Sequence, residues 1–239
     1  MRIGSSLILI LLLFFSLGTT TKQLKIMENS LYYISRAPKS KIGNPPIVIL
    51  MHGVGSNERD LFSFADQLPD DFLVISLRAP YSYGQDSYAW YEVDFSTGKP
   101  IFNKSQAEKS RNLIIDFIDQ LKTKEKFDSN QVYLCGFSQG AIMAYSVGLT
   151  KPDKIKGIAA MSGRMLEEVK PLILPNDSLK KLKIFISHGI NDPVLGIHYA
   201  RESNLYLKQL GLHPTYKEYG EVHTINSAML KDLIVWLKE

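Results

Sequence analysis

The chain has 239 residues, 45% of them hydrophobic and 22% charged, with a formal net charge of +4 at pH 7. A chain of this length can bury one sizeable core, so a single domain is the default. Its charges are spread, and the short lysine clusters "KTKEK" and "KKLK" read as solvated helix ends, which argues against nucleic acid or a membrane surface as a partner.

The first eighteen residues, "MRIGSSLILILLLFFSLG", carry one early Arg2, an apolar run from Leu7 to Leu17 and then small residues. This is the layout of a signal peptide over residues 1–18, with Ser16 and Gly18 placed before a cut, and residues 19–239 as one mature domain. As a helix the run would reach about 17 Å, against a hydrocarbon core of about 30 Å, so a spanning anchor is the weaker reading. No cysteine follows the run to accept a lipid. Export places the protein in an oxidising compartment, yet Cys135 is the one cysteine and no intrachain disulfide can form.

Beyond residue 30, short β-rich apolar runs alternate with helix-period segments, the pattern of an α/β fold with a mostly parallel sheet. The expected strands are "LYYIS", "PIVILM", "FLVISL", "QVYLCG", "IKGIAAM", "KIFISH" and "TYKEY". Leu113, Ile114, Phe117, Ile118 and Leu121 repeat at helical spacing behind a capping box expected from Ser105 and Glu108. A last helix is expected with Thr224 as N-cap and Ile225, Met229, Leu233 and Trp236 facing inward. No repeat, low-complexity run or Gly/Ser-rich linker divides the chain. In open α/β sheets ligands gather at the carboxyl ends of the strands, so chemistry is sought there.

"QVYLCGFSQGAIMAYSVG" places a strand ending at Cys135, then Gly136-Phe137-Ser138-Gln139-Gly140, then a helix-compatible run. G-x-S-x-G between strand and helix puts the serine on a strained turn, where glycines let neighbouring backbone pack closely and the helix N-terminus favours developing negative charge. Cys135, inside the strand, reads as a small buried hydrophobe. Serine needs a base to take its proton and an acid to orient that base. "IFISHGINDPV" places Asp192 on the loop after one strand, and "YKEYGEVHTI" places His223 after the last. Ser138, Asp192 and His223 stand in the order expected of an α/β-hydrolase triad. His52 and His188, at strand ends, are expected to shape the site structurally, while His198 and His213 are expected at the surface.

Acyl transfer also needs donors for the tetrahedral oxyanion. In "VILMHGVGSNERDL" the glycines at 53 and 55 allow the chain to turn inward, so the backbone N–H groups of Val54 and Gln139 are the expected donors. No His/Cys/Asp cluster has metal-ligand spacing, and neither metal nor cofactor is expected.

In this order, "LMHGVGSNERDL", "RAP" at Arg78 to Pro80, "AWYEVD", "GFSQGA", "SGRM" at Ser162 to Met165, "HGINDPV" and His223 resemble the phospholipase/carboxylesterase group of α/β-hydrolases, which includes acyl-protein thioesterases and small bacterial serine esterases. The resemblance implies an α/β-hydrolase fold without a large cap domain, a metal-free serine mechanism, and Val54 and Gln139 as oxyanion donors. It also implies that Trp90 and Tyr91 contact substrate, with packing in the core or rim left open for Trp90. The export signal departs from a cytosolic role in protein deacylation. The polar segment Tyr81 to Asn103 points to short-to-medium or aromatic acyl groups. The expected function is a secreted or periplasmic serine carboxylesterase acting on small-molecule esters. A lysophospholipase or acyl-thioesterase is the alternative, ahead of a peptidase or an idle binding module.

Overall fold

The computed structural model describes residues 30–40, 43–94, 96 and 100–239. The expected leader at residues 1–18 lies outside the described residues, and no helix among these residues is long and apolar enough to cross a membrane.

In chain order the strands are β1 Tyr33–Arg36, β2 Ile47–Met51, β3 Leu73–Leu77, β4 Tyr81–Gly84, β5 Ser87–Ala89, β6 Val93–Asp94, β7 Ile101–Phe102, β8 Val132–Phe137, β9 Gly157–Met161, β10 Lys183–Gly189 and β11 Thr215–Tyr219. The helices are α1 Arg59–Phe62, α2 Lys104–Lys124, α3 Gln139–Thr150, α4 Asp177–Lys180, α5 His198–Gln209 and α6 Ser227–Lys238. Seven strands form one sheet in the order β1-β3-β2-β8-β9-β10-β11, with β1 antiparallel to β3 and every other pairing parallel. Each expected strand is present, although β8 runs on to Phe137 rather than ending at Cys135.

The inner strands are buried on both faces, so they read as continuous apolar runs. All five residues of β2, β3 and β9 are buried. Alternate side chains feed two cores. Ile47, Ile49, Met51, Leu134 and Ile158 pack with Ile114, Phe117 and Ile118 of α2, Ile142 of α3 and Leu207 of α5. Val48, Leu50, Tyr133, Cys135 and Phe185 pack with Leu61 of α1 and with Leu230, Leu233 and Trp236 of α6. Each fully buried Leu or Ile contributes about 1.5–3 kcal/mol. Helix α3 is apolar on all sides because it is buried from Gln139 to Leu149.

Two expected caps differ. Helix α2 begins at Lys104 under Asn103, whose extended backbone lets its side chain accept from the Gln106 amide at 3.1 Å. The helix thus starts before Ser105 can cap it, and Glu108 instead pairs with Arg111. Helix α6 is capped by Asn226, which accepts from the Met229 amide at 2.8 Å, leaving Thr224 and Ile225 in the preceding loop.

The register brings the carboxyl ends of five strands into line. Met51 of β2 pairs with Gly136 of β8, Phe137 of β8 with Met161 of β9, Met161 with Ser187 of β10, and Gly189 of β10 with Tyr219 of β11. The residues that follow therefore meet along one edge. On that side the segment after β3 folds into two small ladders, β4–β5 and β6–β7.

Candidate active site

The turn between β8 and α3 holds Ser138 at φ 52° and ψ −116°, a backbone conformation that non-glycine residues rarely adopt. The surroundings over-determine it, as strain at a functional turn requires. The Ser138 amide donates to the Met161 carbonyl at 2.9 Å and its carbonyl accepts from Ile142 at 3.1 Å. Strand and helix can cross here only without side chains. A Cβ on Gly136 would stand 2.2 Å from the Gly140 backbone, and one on Gly140 would stand 1.9 Å from the Met51 carbonyl oxygen.

Ser138 Oγ lies 2.9 Å from Nε2 of His223, and Nδ1 of His223 lies 2.6 Å from Oδ2 of Asp192. The three residues are far apart in sequence and meet because β8, β10 and β11 end at the same edge. Asp192 is 6% exposed, and its Oδ1 accepts from the Val194 and Leu195 amides, both at 2.8 Å. This leaves Oδ2 directed at the imidazole, fixing the tautomer with hydrogen on Nδ1 and a free lone pair on Nε2. The Phe137 ring packs against the imidazole, centroids 4.8 Å apart. The arrangement can draw a proton from the serine hydroxyl to Nε2 and stabilise the resulting imidazolium.

Ser138, Val54 and Gln139 line a cavity of about 480 Å³, within the usual range for small-molecule sites. The Val54 and Gln139 amides have no hydrogen-bond acceptor among the described residues, so both remain available as donors. The segment expected to be polar gives this cavity an apolar wall through Tyr91, Val93, Pro100 and Phe102, opposite Ile142, Val194 and Leu195. Tyr91 thus faces the cavity, and burial raises its phenol well above the usual tyrosine range.

Trp90 does not line the cavity. It is fully buried, its backbone N–H donates to Gln139 Oε1 at 2.7 Å, its indole N–H donates to the His52 carbonyl at 3.0 Å, and its carbonyl accepts from Ser110. Of the two expectations for Trp90, packing in the core is the one realised. It ties the loop after β2 to the turn before α3.

Three positioning groups escaped the sequence reading. The Gln139 side chain is a fork, accepting from the Trp90 amide and donating to the Tyr91 carbonyl, both at 2.7 Å. Arg78 grips Glu58 through Nε–Oε2 and Nη2–Oε1 contacts of 2.7 Å each, and Glu58 is only 1% exposed. The guanidinium holds the Glu58 carboxyl below its ordinary range and pins the loop that carries Val54. Asn103 and Asn226 set the start of the flanking helices. Signals for the ion pair were present in "NERDL" and "RAP", but nothing in their spacing joins them.

His52 and His188 take the structural places expected of them. His52 Nδ1–H donates to the Gly53 carbonyl at 2.7 Å while Nε2 accepts from the Ala79 amide at 3.1 Å. His188 Nε2–H donates to the Leu195 carbonyl at 2.6 Å and lies 3.2 Å from Asp192 Oδ2. Burial lowers the pKa of both, keeping them neutral. His198 and His213 are exposed. Cys135 is fully buried and desolvation raises its thiol far above the usual range, so it holds no thiolate. Among the described residues no group of three His, Cys, Asp or Glu side chains is placed to hold a metal ion.

Comparison with known proteins shows the family and the fold. Residues 37–239 match the model of the phospholipase/carboxylesterase family. Acyl-protein thioesterase 1 of Emericella nidulans is 28% identical over 211 residues, covering 78% of this chain and 86% of that protein. Carboxylesterase SOBER1 of Arabidopsis thaliana is 29% identical over 154 residues, covering 63% of this chain and 67% of that protein. The fold resembles that of a Bacillus cereus carboxylesterase with a TM-score of 0.75 at 22% identity, covering 87% of this chain and 93% of the other. Esterase PE8 gives a TM-score of 0.72 at 25% identity, covering 87% and 98%. These relatives are hydrolases of the carboxylesterase and thioesterase kind. The chain belongs to the phospholipase/carboxylesterase family and has the α/β-hydrolase fold without a large cap domain.

Proposed function

We propose that the protein is a serine carboxylesterase that cleaves small-molecule esters of short-to-medium or aromatic acids through an acyl-enzyme. The observation that carries this reading is the continuous relay from Asp192 through His223 to Ser138, with contacts of 2.6 and 2.9 Å, on a cavity that also presents two unused backbone donors. Ser138 Oγ attacks the ester carbonyl as its proton passes to His223 Nε2, and the Val54 and Gln139 amides receive the oxyanion. His223 then protonates the leaving alkoxide. Water enters, gives its proton to the same nitrogen, and attack on the acyl-enzyme releases the acid and regenerates Ser138. Tyr91 forms part of the substrate wall.

A thioester passes through the same acyl-enzyme with a thiolate leaving group. The name of the Emericella nidulans relative favours keeping that activity beside the ester. A fluorophosphonate probe tests the reading. One label per chain is expected on Ser138, lost in Ser138→Ala together with hydrolysis of p-nitrophenyl butyrate. Labelling that survives the substitution would refute the assignment.

Export sets the compartment in this proposal, with residues 1–18 as the leader. Intact-mass measurement of the exported protein is expected to find Thr19 as the first residue. Retention of Met1 and Arg2 would contradict cleavage.

A further inference from the structure

Six arginines lie among the described residues, and five of them have their guanidinium groups engaged. Arg36 donates to backbone carbonyls, while Arg59, Arg78, Arg111 and Arg201 are paired with carboxylates. Arg164 has neither a hydrogen bond nor an ion pair among the described residues. It also lines the same cavity as Ser138, where it is the one charged side chain among those residues. Of the two acids that follow it in the chain, Glu167 is bound to Lys170 at 2.7 Å and Glu168 to Lys104 at 2.6 Å.

The position of Arg164 is built rather than incidental. Ser162, at the end of β9, is held at φ 50° with its amide on the Ser187 carbonyl at 2.8 Å. A Cβ on Gly163 would stand 2.4 Å from the Ala141 side chain, so this turn is pressed against α3 beside the nucleophile. The guanidinium then lies 5.5 Å from the centroid of Phe102 and 5.6 Å from that of Tyr199, both on the cavity wall. Contacts of this kind hold the planar group in place while its five N–H donors stay unused.

An always-charged fork in a cavity whose other lining side chains are apolar, aromatic or neutral polar suits a planar carboxylate taken bidentately. We propose that the cavity selects esters carrying a free carboxylate a few bonds from the scissile carbonyl, and that Arg164 is the specificity-determining residue that binds it. This rests on the esterase reading of the same site. The carboxylate can belong to the acyl half, as in a dicarboxylic acid monoester, or to the alcohol half, as in an ester of a hydroxy acid. A charge-assisted hydrogen bond of about 1.5–3 kcal/mol corresponds to roughly ten- to a hundredfold in kcat/KM.

The test measures hydrolysis by pH-stat at about pH 8, where the carboxylates are ionised. Monoethyl glutarate is set against ethyl hexanoate for the acyl half, and O-butyryl glycolate against propyl butyrate for the alcohol half. In one of these arms the wild type is expected to favour the anionic ester at least about tenfold, mainly through KM. That ratio should fall to about one in Arg164→Gln and be partly kept in Arg164→Lys. Free glutarate or glycolate should inhibit the wild type competitively and the Gln variant far less. A wild type that favours the neutral ester in both arms, or a preference that survives Arg164→Gln, would overturn the assignment of Arg164. Absence of hydrolysis of all four esters, with no fluorophosphonate label on Ser138, would instead overturn the esterase reading beneath it.

Discussion

Replacing Gly140 by alanine isolates the packing that sets the nucleophile turn. The new methyl would stand 1.9 Å from the Met51 carbonyl oxygen, 2.5 Å from its carbon and 2.8 Å from the His52 carbonyl oxygen. An ordinary carbon–oxygen approach is about 3.3 Å, so α3 and β2 would have to separate by about 1.4 Å. Neither neighbour is a side chain that can rotate away. Strand β2 is held by parallel ladders to β3 and β8, and α3 is buried along nearly its whole length. Overpacking by a methylene costs about 1–3 kcal/mol where side chains can adjust, and a backbone-to-backbone clash belongs at or above the top of that range. Alanine regains about 1 kcal/mol of helix propensity, which leaves a net loss of about 2 kcal/mol or more.

For a chain of this size that loss lowers the melting temperature by at least about 4–8 °C. The same displacement moves the Gln139 amide and Ser138 by about 1 Å, and a shift of that size costs about a hundredfold in rate. Calorimetry and hydrolysis of p-nitrophenyl butyrate read the two effects on one preparation. Gly43→Ala is the control, because a Cβ there meets no atom within 4 Å, and it should change stability by no more than about 0.5 kcal/mol. If Gly140→Ala melts within about 2 °C of the control and keeps its kcat, the close crossing does not constrain the turn as reasoned.

Within the relay, His223→Ala should lower kcat by at least about a thousandfold with little change in KM, and Asp192→Ala should lose less, because Asp192 orients the imidazole without touching substrate. Near-normal turnover in His223→Ala, or total loss in His188→Ala alone, would identify a different base. Stability should also fall on acidification. His52 and His188 are disfavoured as cations by burial, so their folded pKa values lie below the unfolded value of about 6.5 and the unfolded chain binds more protons as the pH drops. Their stabilising contribution is complete above about pH 6.5 and is lost as the pH falls through that value. A melting temperature that is flat between about pH 8 and pH 5 would contradict this.

How much of the molecule could be read from its residues depended on how local the physics was. Runs such as "PIVILM" and "FLVISL" announce their strands because both faces of an inner parallel strand are buried, and no partner is needed to see it. The G-x-S-x-G turn was legible for the same reason, since strand, tight turn and helix follow one another without a gap. Helix starts were less legible, because Ser105 and Asn103 are both good caps and the choice depends on where the preceding chain arrives from β7. The ladders β4–β5 and β6–β7 were illegible. They are two to four residues long and carry no periodic pattern; the isolated pairing of Tyr88 with Ser56, from a loop 32 positions away, holds the first in place.

Trp90 and Arg164 show the same limit from opposite sides. Both sit in stretches that resembled family sequence, and both carry side chains with polar tips and extensive apolar or planar surfaces. The indole went inward because the His52 carbonyl and the Gln139 fork offered partners for its donors, so burying it left nothing unpaired. The guanidinium has no carboxylate bound to it among the described residues, with Glu167 held by Lys170 and Glu168 by Lys104. It therefore stayed at the cavity wall against Phe102 and Tyr199. Which polar group is satisfied internally is a property of the assembled sheet edge, and the one left unsatisfied is what remains to meet a ligand. In the proposed reading the triad transfers the acyl group, whereas the leftover cation beside it selects which acyl or alcohol group is drawn in.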